Sequence, residues 1–138
     1  MSRVISLDNP GSTRSQHRRT VAEALRRLSQ KPQLDEEAKD LAALIVFSLH
    51  GIANTVDQTC DAWDKRDYYM KAERFREQWR WLEPLTDDLS AVIYENRWEQ
   101  LPAILARLMP HFADVTIKQM TRSAKLWQGA YQKFVSAE

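Results

Sequence analysis

The sequence predicts an all-α protein: a single-domain helical bundle of five or six helices, with a long second helix and a long C-terminal helix. Its 138 residues include only three glycines and five prolines, so turn signals are sparse and long helices are favoured over many short strands. Apolar residues recur at spacings of three and four along most of the chain, which is the period of one helix face. No segment sustains the alternation of apolar and polar residues that is typical of strands.

The chain length fits one domain. Residues 1–12 are predicted to be a flexible N-terminal arm, because they contain a turn-forming Asn-Pro-Gly sequence. Residues 13–138 are expected to form the single helical domain. The first helix should start at Ser12 or Thr13 and end before Pro32, because the residue preceding a proline avoids the helical conformation.

The second helix is predicted to run without interruption from about Leu34 to Trp63. Acidic residues in its first turn complement the positive end of the helix dipole, and its apolar residues keep to one face. Gly51 lies in the middle without disturbing this period, and we expect a close contact with another helix there. The apolar face consists of Ala38, Leu41, Ile45, Leu49, Ile52, Val56, Cys60 and Trp63.

Residues 61–81 combine six aromatic and eleven charged side chains, with neither glycine nor proline. Helical spacing places the apolar residues of this stretch on two lines, so the helix either breaks at 64–67 or continues and changes neighbours. One line is a packing face. The other is predicted to face a protein partner, because Trp and Met are enriched in interface cores; the alternative is that a helix of the same chain covers it. This second line consists of Trp63, Met70 and Trp81.

Proline positions divide the remaining chain. Pro84 is expected to close the aromatic-rich helix, and a short helix should run from Thr86 to about Asn96. The main part of the next helix is predicted at Pro102–Met109, since proline suits a first helical turn. Pro110 is then expected to begin the long C-terminal helix, whose apolar residues roughly keep a helical period.

Basic residues cluster on the first helix and its approach. Residues 1–33 have a net charge of +5, against −7 for residues 34–114 and +3 for residues 115–138. Arginines grouped in this way can contact nucleic-acid phosphates. The alternatives are an ordinary i,i+4 surface network and docking of the basic end on the acidic middle of its own or a neighbouring chain. The candidate nucleic-acid-binding residues are Arg14, His17, Arg18, Arg19 and Arg26.

A polar stripe lies opposite the apolar face of the second helix and includes His50 and Asn54. Carboxylates at positions i, i+4 and i+7 of such a stripe can share a hard cation such as Mg²⁺ or Mn²⁺. The alternative is a solvated face of a bundle helix. The candidate metal ligands are Asp57, Asp61 and Asp64.

Two acidic boxes give a second basis for metal chemistry. Glu36, Glu37 and Asp40 are followed, after twenty residues, by Asp61 and Asp64. This arrangement resembles the EExxE and ExxD boxes of the MazG-like all-helical nucleotide pyrophosphohydrolases. The resemblance implies carboxylates that hold Mg²⁺ around a nucleoside triphosphate, on neighbouring antiparallel helices. On one unbroken helix the boxes would lie about 30 Å apart, so this function requires a chain reversal between them.

Other site types are not indicated. The single cysteine, Cys60, excludes an intrachain disulfide framework and a four-cysteine zinc site, and it favours a reducing, cytoplasmic compartment. The longest apolar run, residues 41–53, is too short to span a bilayer, and no cofactor is predicted. We therefore favour a non-catalytic helical interaction or assembly subunit that binds a protein partner or forms a homo-oligomer, with nucleic-acid phosphates as a further ligand. The alternative is the Mg²⁺-dependent pyrophosphohydrolase.

Overall fold

A single 30-residue helix runs through the centre of the molecule. The computed structural model describes residues 9–137, and within that range it contains six α-helices, three short 3-10 helices and no strand. The α-helices are α1 (Pro10–Ser29), α2 (Glu36–Lys65), α3 (Tyr69–Gln78), α4 (Leu82–Tyr94), α5 (Leu101–Leu108) and α6 (Ala130–Ser136). The 3-10 helices are Trp98–Gln100, Met109–Phe112 and Ala124–Leu126. None of the helices within 9–137 combines the length and the apolar character that a membrane crossing requires.

The central helix α2 forms because its start signal and its apolar face agree. Asp35 caps the helix by accepting the Ala38 N–H at 2.8 Å. Every predicted apolar position from Ala38 to Cys60 is buried, and Trp63 is half-buried. α1, α3, α4 and α6 all pack against α2, and the helix passes through Gly51 without reversing. The predicted all-α bundle with a long second helix is thus confirmed.

A side chain of α1 lies directly against α2 at Gly51. A Cβ atom at this position would lie 2.3 Å from Nε2 of His17 and 2.6 Å from its Cε1, well inside van der Waals contact. Glycine therefore lets the imidazole ring lie directly against the α2 backbone. This confirms the helix contact expected at Gly51 from the sequence.

The helix breaks after Lys65, which decides between the two alternatives for residues 64–67. Asp67 has a left-handed backbone with φ 64°. Its N–H donates to the Asp64 carbonyl at 3.0 Å, and the Tyr68 N–H donates to the Trp63 carbonyl at 2.8 Å. These two hydrogen bonds form a Schellman motif, which normally has glycine at the left-handed position. Because the residue at this position is aspartate rather than glycine, the sequence does not clearly signal the end of the helix. Aspartate nevertheless tolerates the left-handed conformation better than most residues.

Two helix starts differ from the predictions. α1 begins at Pro10 rather than at Ser12 or Thr13, because Asn9 accepts the Ser12 N–H at 3.2 Å and Pro10 fits the first turn. The remainder of the predicted arm, residues 1–8, lies outside the described residues. Pro84 does not close a helix; it lies in the first turn of α4, where its missing N–H would have had no helical partner.

The predicted long C-terminal helix starting at Pro110 is wrong. A 3-10 helix ends at Phe112, and residues 113–123, hereafter the 113–123 segment, are irregular. Side chains of α1 hydrogen-bond to five backbone groups of this segment, so these groups are satisfied without a helix. Gly129 then adopts a left-handed φ of 83°, and only the seven residues of α6 are α-helical.

Gly51→Ala should be destabilising when His17 is present and stabilising when it is absent. In the wild type the added methyl group overlaps the imidazole, at a cost of about 1 kcal/mol or more. In a His17→Ala background the overlap is gone, and the helix propensity of alanine should contribute about 0.5–1 kcal/mol. Urea unfolding of the four chains in this double-mutant cycle measures both effects. Equal effects in the two backgrounds would contradict the close contact.

Candidate functional site

Two of the arginines predicted to contact phosphates hydrogen-bond to the 113–123 segment. Arg19 donates to the Gln119 carbonyl at 2.8 Å, and Arg26 donates to the Ile117 carbonyl at 2.6 Å. These guanidinium groups supply hydrogen bonds that a helix would otherwise provide. Part of the arginine cluster therefore has an intramolecular role, in addition to any contact it makes with a ligand.

His17 and Arg18 also have neighbours within the chain. Arg18 forms a two-pronged ion pair with Asp114, at 2.7 and 3.0 Å, and donates to the His111 carbonyl at 2.9 Å. His17 lies half-buried against α2. Burial lowers the pKa of His17, and the nearby charge of Arg122 lowers it further, so the imidazole is neutral at pH 7.

The buried carboxylate of Glu23 is the centre of this network. Its side chain is 1% exposed. It accepts hydrogen bonds from Arg19 Nε at 2.6 Å, from the Thr121 N–H and hydroxyl at 2.8 and 2.5 Å, and from the Arg122 N–H at 2.9 Å. Burial alone would raise the pKa of Glu23, but these hydrogen bonds outweigh it and lower the pKa from 4.5 to about 2. The sequence offered only the i,i+4 spacing to Arg19 as a signal of this role.

Arg14 differs from the other half-buried arginines of α1, Arg18 and Arg19, because all its acceptors within residues 9–137 are neutral. It donates to the hydroxyls of Thr55 and Thr59 at 3.1 and 2.7 Å, and its guanidinium lies 4.8 Å from the ring centre of Phe75. It forms no ion pair with a carboxylate of residues 9–137. Burial lowers the pKa of Arg14, and the guanidinium remains charged at neutral pH. A half-buried cation without a counter-charge is thus built into this side of the bundle.

A row of aromatic rings crosses the same side of the molecule. Consecutive ring centres are 5.3, 6.3, 5.6 and 3.8 Å apart. The last pair is nearly parallel, with 8° between the ring planes, whereas the others are tilted or edge-to-face. In order, this aromatic row consists of Trp63, Phe75, Trp79, Trp81 and His111.

The predicted partner line is divided by the structure. Trp63 and Trp81 are half-buried members of the aromatic row, so the same chain covers much of both rings. Met70 is 70% exposed, and it follows Tyr68 and Tyr69, which are 50% and 60% exposed. Helical spacing in the sequence puts Tyr68 on the packing line with Ala72 and Phe75, because spacing alone does not reveal the left-handed residue that redirects the chain. We call residues 68–70 the α2–α3 corner.

A pocket of about 440 Å3 brings together residues from both sequence predictions. It lies between α1, α3 and the 3-10 helix at 109–112. Arg14 and Arg18 line it from α1, and Trp81 lines it from the turn before α4. The sequence predicts the two arginines as phosphate contacts and Trp81 as part of a protein interface. In the structure all three line the same pocket. Its other notable lining residues are Gln78, Trp79 and His111.

The predicted metal stripe has no ion-binding arrangement in the described part of the chain. Asp57 and Asp61 are exposed, and Asp64 pairs with Arg76 at 2.7 Å. Among residues 9–137, no group of three or more His, Cys, Asp or Glu side chains is placed to hold a metal ion.

The two acidic boxes lie at opposite ends of α2. Asp40 accepts the N–H groups of Gly129 and Tyr131 at 3.1 and 2.9 Å, which fixes the start of α6. Glu37 pairs with Arg27 and Lys31 at 2.9 and 2.6 Å. At 1.5 Å per residue of helix, the boxes are about 30 Å apart. The structure therefore does not bring together the carboxylates that the MazG-like resemblance would require at one site.

Comparison of the chain with family models, curated proteins and solved structures finds no match. The arguments for function accordingly rest on the geometry of the residues themselves.

Glu23→Gln should destabilise the fold and remove part of its acid sensitivity. The pKa of Glu23 is lower in the folded chain, so its contribution is present above about pH 4.5 and is lost as the pH falls towards 2. A shift of this size corresponds to about 3 kcal/mol at neutral pH. Urea unfolding between pH 2 and pH 7 should show a lower free energy of unfolding for the variant and a flatter pH profile.

The matched control is Glu77→Gln, which removes an exposed carboxylate paired with Arg80. It should leave both the stability and the pH profile close to those of the wild type. An unchanged acid limb in Glu23→Gln would show that Glu23 does not hold the 113–123 segment.

Proposed function

We propose that this protein is a non-catalytic helical assembly subunit that docks on a protein partner through the α2–α3 corner. One observation carries the proposal: three consecutive large side chains, Tyr68, Tyr69 and Met70, are each at least half exposed. Isolated exposed apolar residues are common on protein surfaces, but a contiguous group is typical of an interaction site. Tyr and Met are also among the residue types enriched at interfaces.

The corner is held in a defined shape. The Schellman motif at Asp67 fixes the chain direction after α2, and the Tyr69 hydroxyl donates to an Asp67 carboxylate oxygen at 2.8 Å. A surface that is already ordered loses less conformational entropy when it binds. Lys65, Arg66 and Lys71 surround the corner and are exposed. These positive charges favour a partner whose apolar contact surface is bordered by acidic residues.

The partner is either another protein or a second copy of this chain. The acidic stripe of α2, at Asp57 and Asp61, gives a second copy a surface complementary in charge to the corner. The reducing, cytoplasmic compartment expected from the single cysteine belongs to the same proposal. Of the five residues predicted to contact phosphates, Arg14 and Arg18 line the pocket between α1, α3 and the 3-10 helix at 109–112. The proposal therefore keeps only these two as candidate phosphate-site residues.

Photo-crosslinking in cells tests the docking surface directly. A photoreactive phenylalanine analogue at position 70 should give one discrete crosslinked product, because Met70 is the most exposed residue of the corner. The same analogue at Gln132, an exposed residue of α6, is the matched control and should give none. A product of twice the chain mass of 16.1 kDa identifies a second copy, and any other mass identifies a different protein.

Introducing negative charge at the α2–α3 corner is a second test of the docking surface. Tyr69→Asp with Met70→Asp should abolish the crosslinked or co-purified complex while leaving the melting temperature nearly unchanged, since neither side chain is in the core. Absence of a product at position 70, or equal products at 70 and 132, would reject the docking proposal.

A further inference from the structure

We propose that the pocket between α1, α3 and the 3-10 helix at 109–112 binds a nucleoside phosphate, with its phosphate on Arg14 and its base on the Trp81–His111 stack. This nucleoside phosphate is either a free nucleotide or one unit of a single-stranded nucleic acid. The inference goes beyond docking at the α2–α3 corner and does not depend on it.

The charge of Arg14 is not compensated by a carboxylate of residues 9–137. Its Nε and one terminal nitrogen are held by Thr55 and Thr59, whereas Nη1 makes no hydrogen bond within residues 9–137. A half-buried guanidinium that has only neutral acceptors gains more from an anion than an exposed one, because less solvent screens the interaction. The planar fork of an arginine suits phosphate oxygens in particular.

Arg18 lines the same pocket together with its ion-pair partner Asp114. Its Nε is buried and has no hydrogen-bond partner within residues 9–137, and the two terminal nitrogens donate to Asp114. The Asp114 carboxylate offsets the charge of Arg18, so Arg14 carries the net attraction for an anion. Arg18 instead fixes the wall of the pocket.

The pocket also contains a pair of stacked aromatic rings. Trp81 and His111 are stacked at 3.8 Å with 8° between their planes, and the edge of Phe112 packs on Trp81 at 5.9 Å. Trp79 lies 5.6 Å from Trp81 on another side. These rings are already ordered by one another, so a base can stack on them at a low entropic cost. Stacking of a base on an aromatic side chain contributes about 1–3 kcal/mol and tolerates any base.

Arg14, Trp81 and His111 line one open pocket of about 440 Å3. This volume lies within the usual range of roughly 300–1,000 Å3 for ligand sites. Gln78 adds an exposed amide that can donate to and accept from a base edge. A phosphate next to a flat aromatic surface is the pattern of single-strand and nucleotide recognition, whereas duplex nucleic acid keeps its bases stacked inside.

Tryptophan fluorescence is the primary test. A short mixed-sequence single strand, AMP, the corresponding duplex and inorganic phosphate are each titrated into the full chain. The single strand, AMP or both should quench the emission, since a base would stack next to Trp81. Quenching by AMP identifies a free nucleotide as sufficient, and quenching by the strand alone identifies nucleic acid as the ligand.

Gln78→Glu is the decisive variant, because it adds a negative charge at the pocket without removing a packing or hydrogen-bonded side chain. It should weaken binding by about tenfold or more at an unchanged melting temperature. Gln132→Glu makes the same change on α6, away from the pocket lining, and should bind like the wild type. Arg14→Gln should reduce the dependence of log K on log salt by about 0.7 for a single strand.

Arg14→Lys is used if Arg14→Gln proves unstable. It keeps the positive charge but removes the planar guanidinium group. It should fold and bind several-fold more weakly than the wild type. The proposal is overturned if neither the strand nor AMP quenches the fluorescence, if Gln78→Glu and Gln132→Glu bind equally, or if duplex binds as tightly as the single strand.

Discussion

The fold depends on one buried carboxylate near its N-terminus that is satisfied by backbone near its C-terminus. Glu23 accepts hydrogen bonds from Thr121 and Arg122, which are about a hundred residues further along the chain. An ionised carboxylate without these partners would be very costly in this position. The 113–123 segment therefore has to return to α1, and the arginines next to Glu23 add hydrogen bonds to the same segment. Helix α2 provides the surface on which both ends meet.

This arrangement explains why the arginine cluster is not uniform. Arg19 and Arg26 satisfy carbonyls of an irregular segment, and Arg18 satisfies a carboxylate at its edge. Arg14 lies one turn before Arg18, next to α3 rather than the 113–123 segment. Its partners within residues 9–137 are two hydroxyls, a carbonyl and the ring of Phe75. Arginines that look equivalent in the sequence therefore have different structural roles: Arg18, Arg19 and Arg26 stabilise the 113–123 segment, whereas Arg14 donates to hydroxyls of α2.

Periodicity was sufficient to predict the centre of the fold but not its end. The apolar face of α2, from Ala38 to Cys60, follows from spacing alone, because one helix face is buried along its whole length. The C-terminal region keeps a similar apolar spacing yet is mostly irregular, since its backbone partners come from α1 and no local pattern encodes them. The exposure of Tyr68 and Met70 likewise depends on a left-handed aspartate, for which glycine is the usual sequence signal.

The distance in sequence between Glu23 and its partners has a consequence for biosynthesis. While the ribosome is translating the chain, α1 emerges early, and its acidic and basic groups stay hydrated until residues 121 and 122 have been made. The helical hairpin of α1 and α2 can form first, because its contacts are closer in sequence than those of Glu23 with residues 121 and 122. The 113–123 segment can close on Glu23 only afterwards, and a polypeptide that stops before residue 121 would lack the donors for this closure.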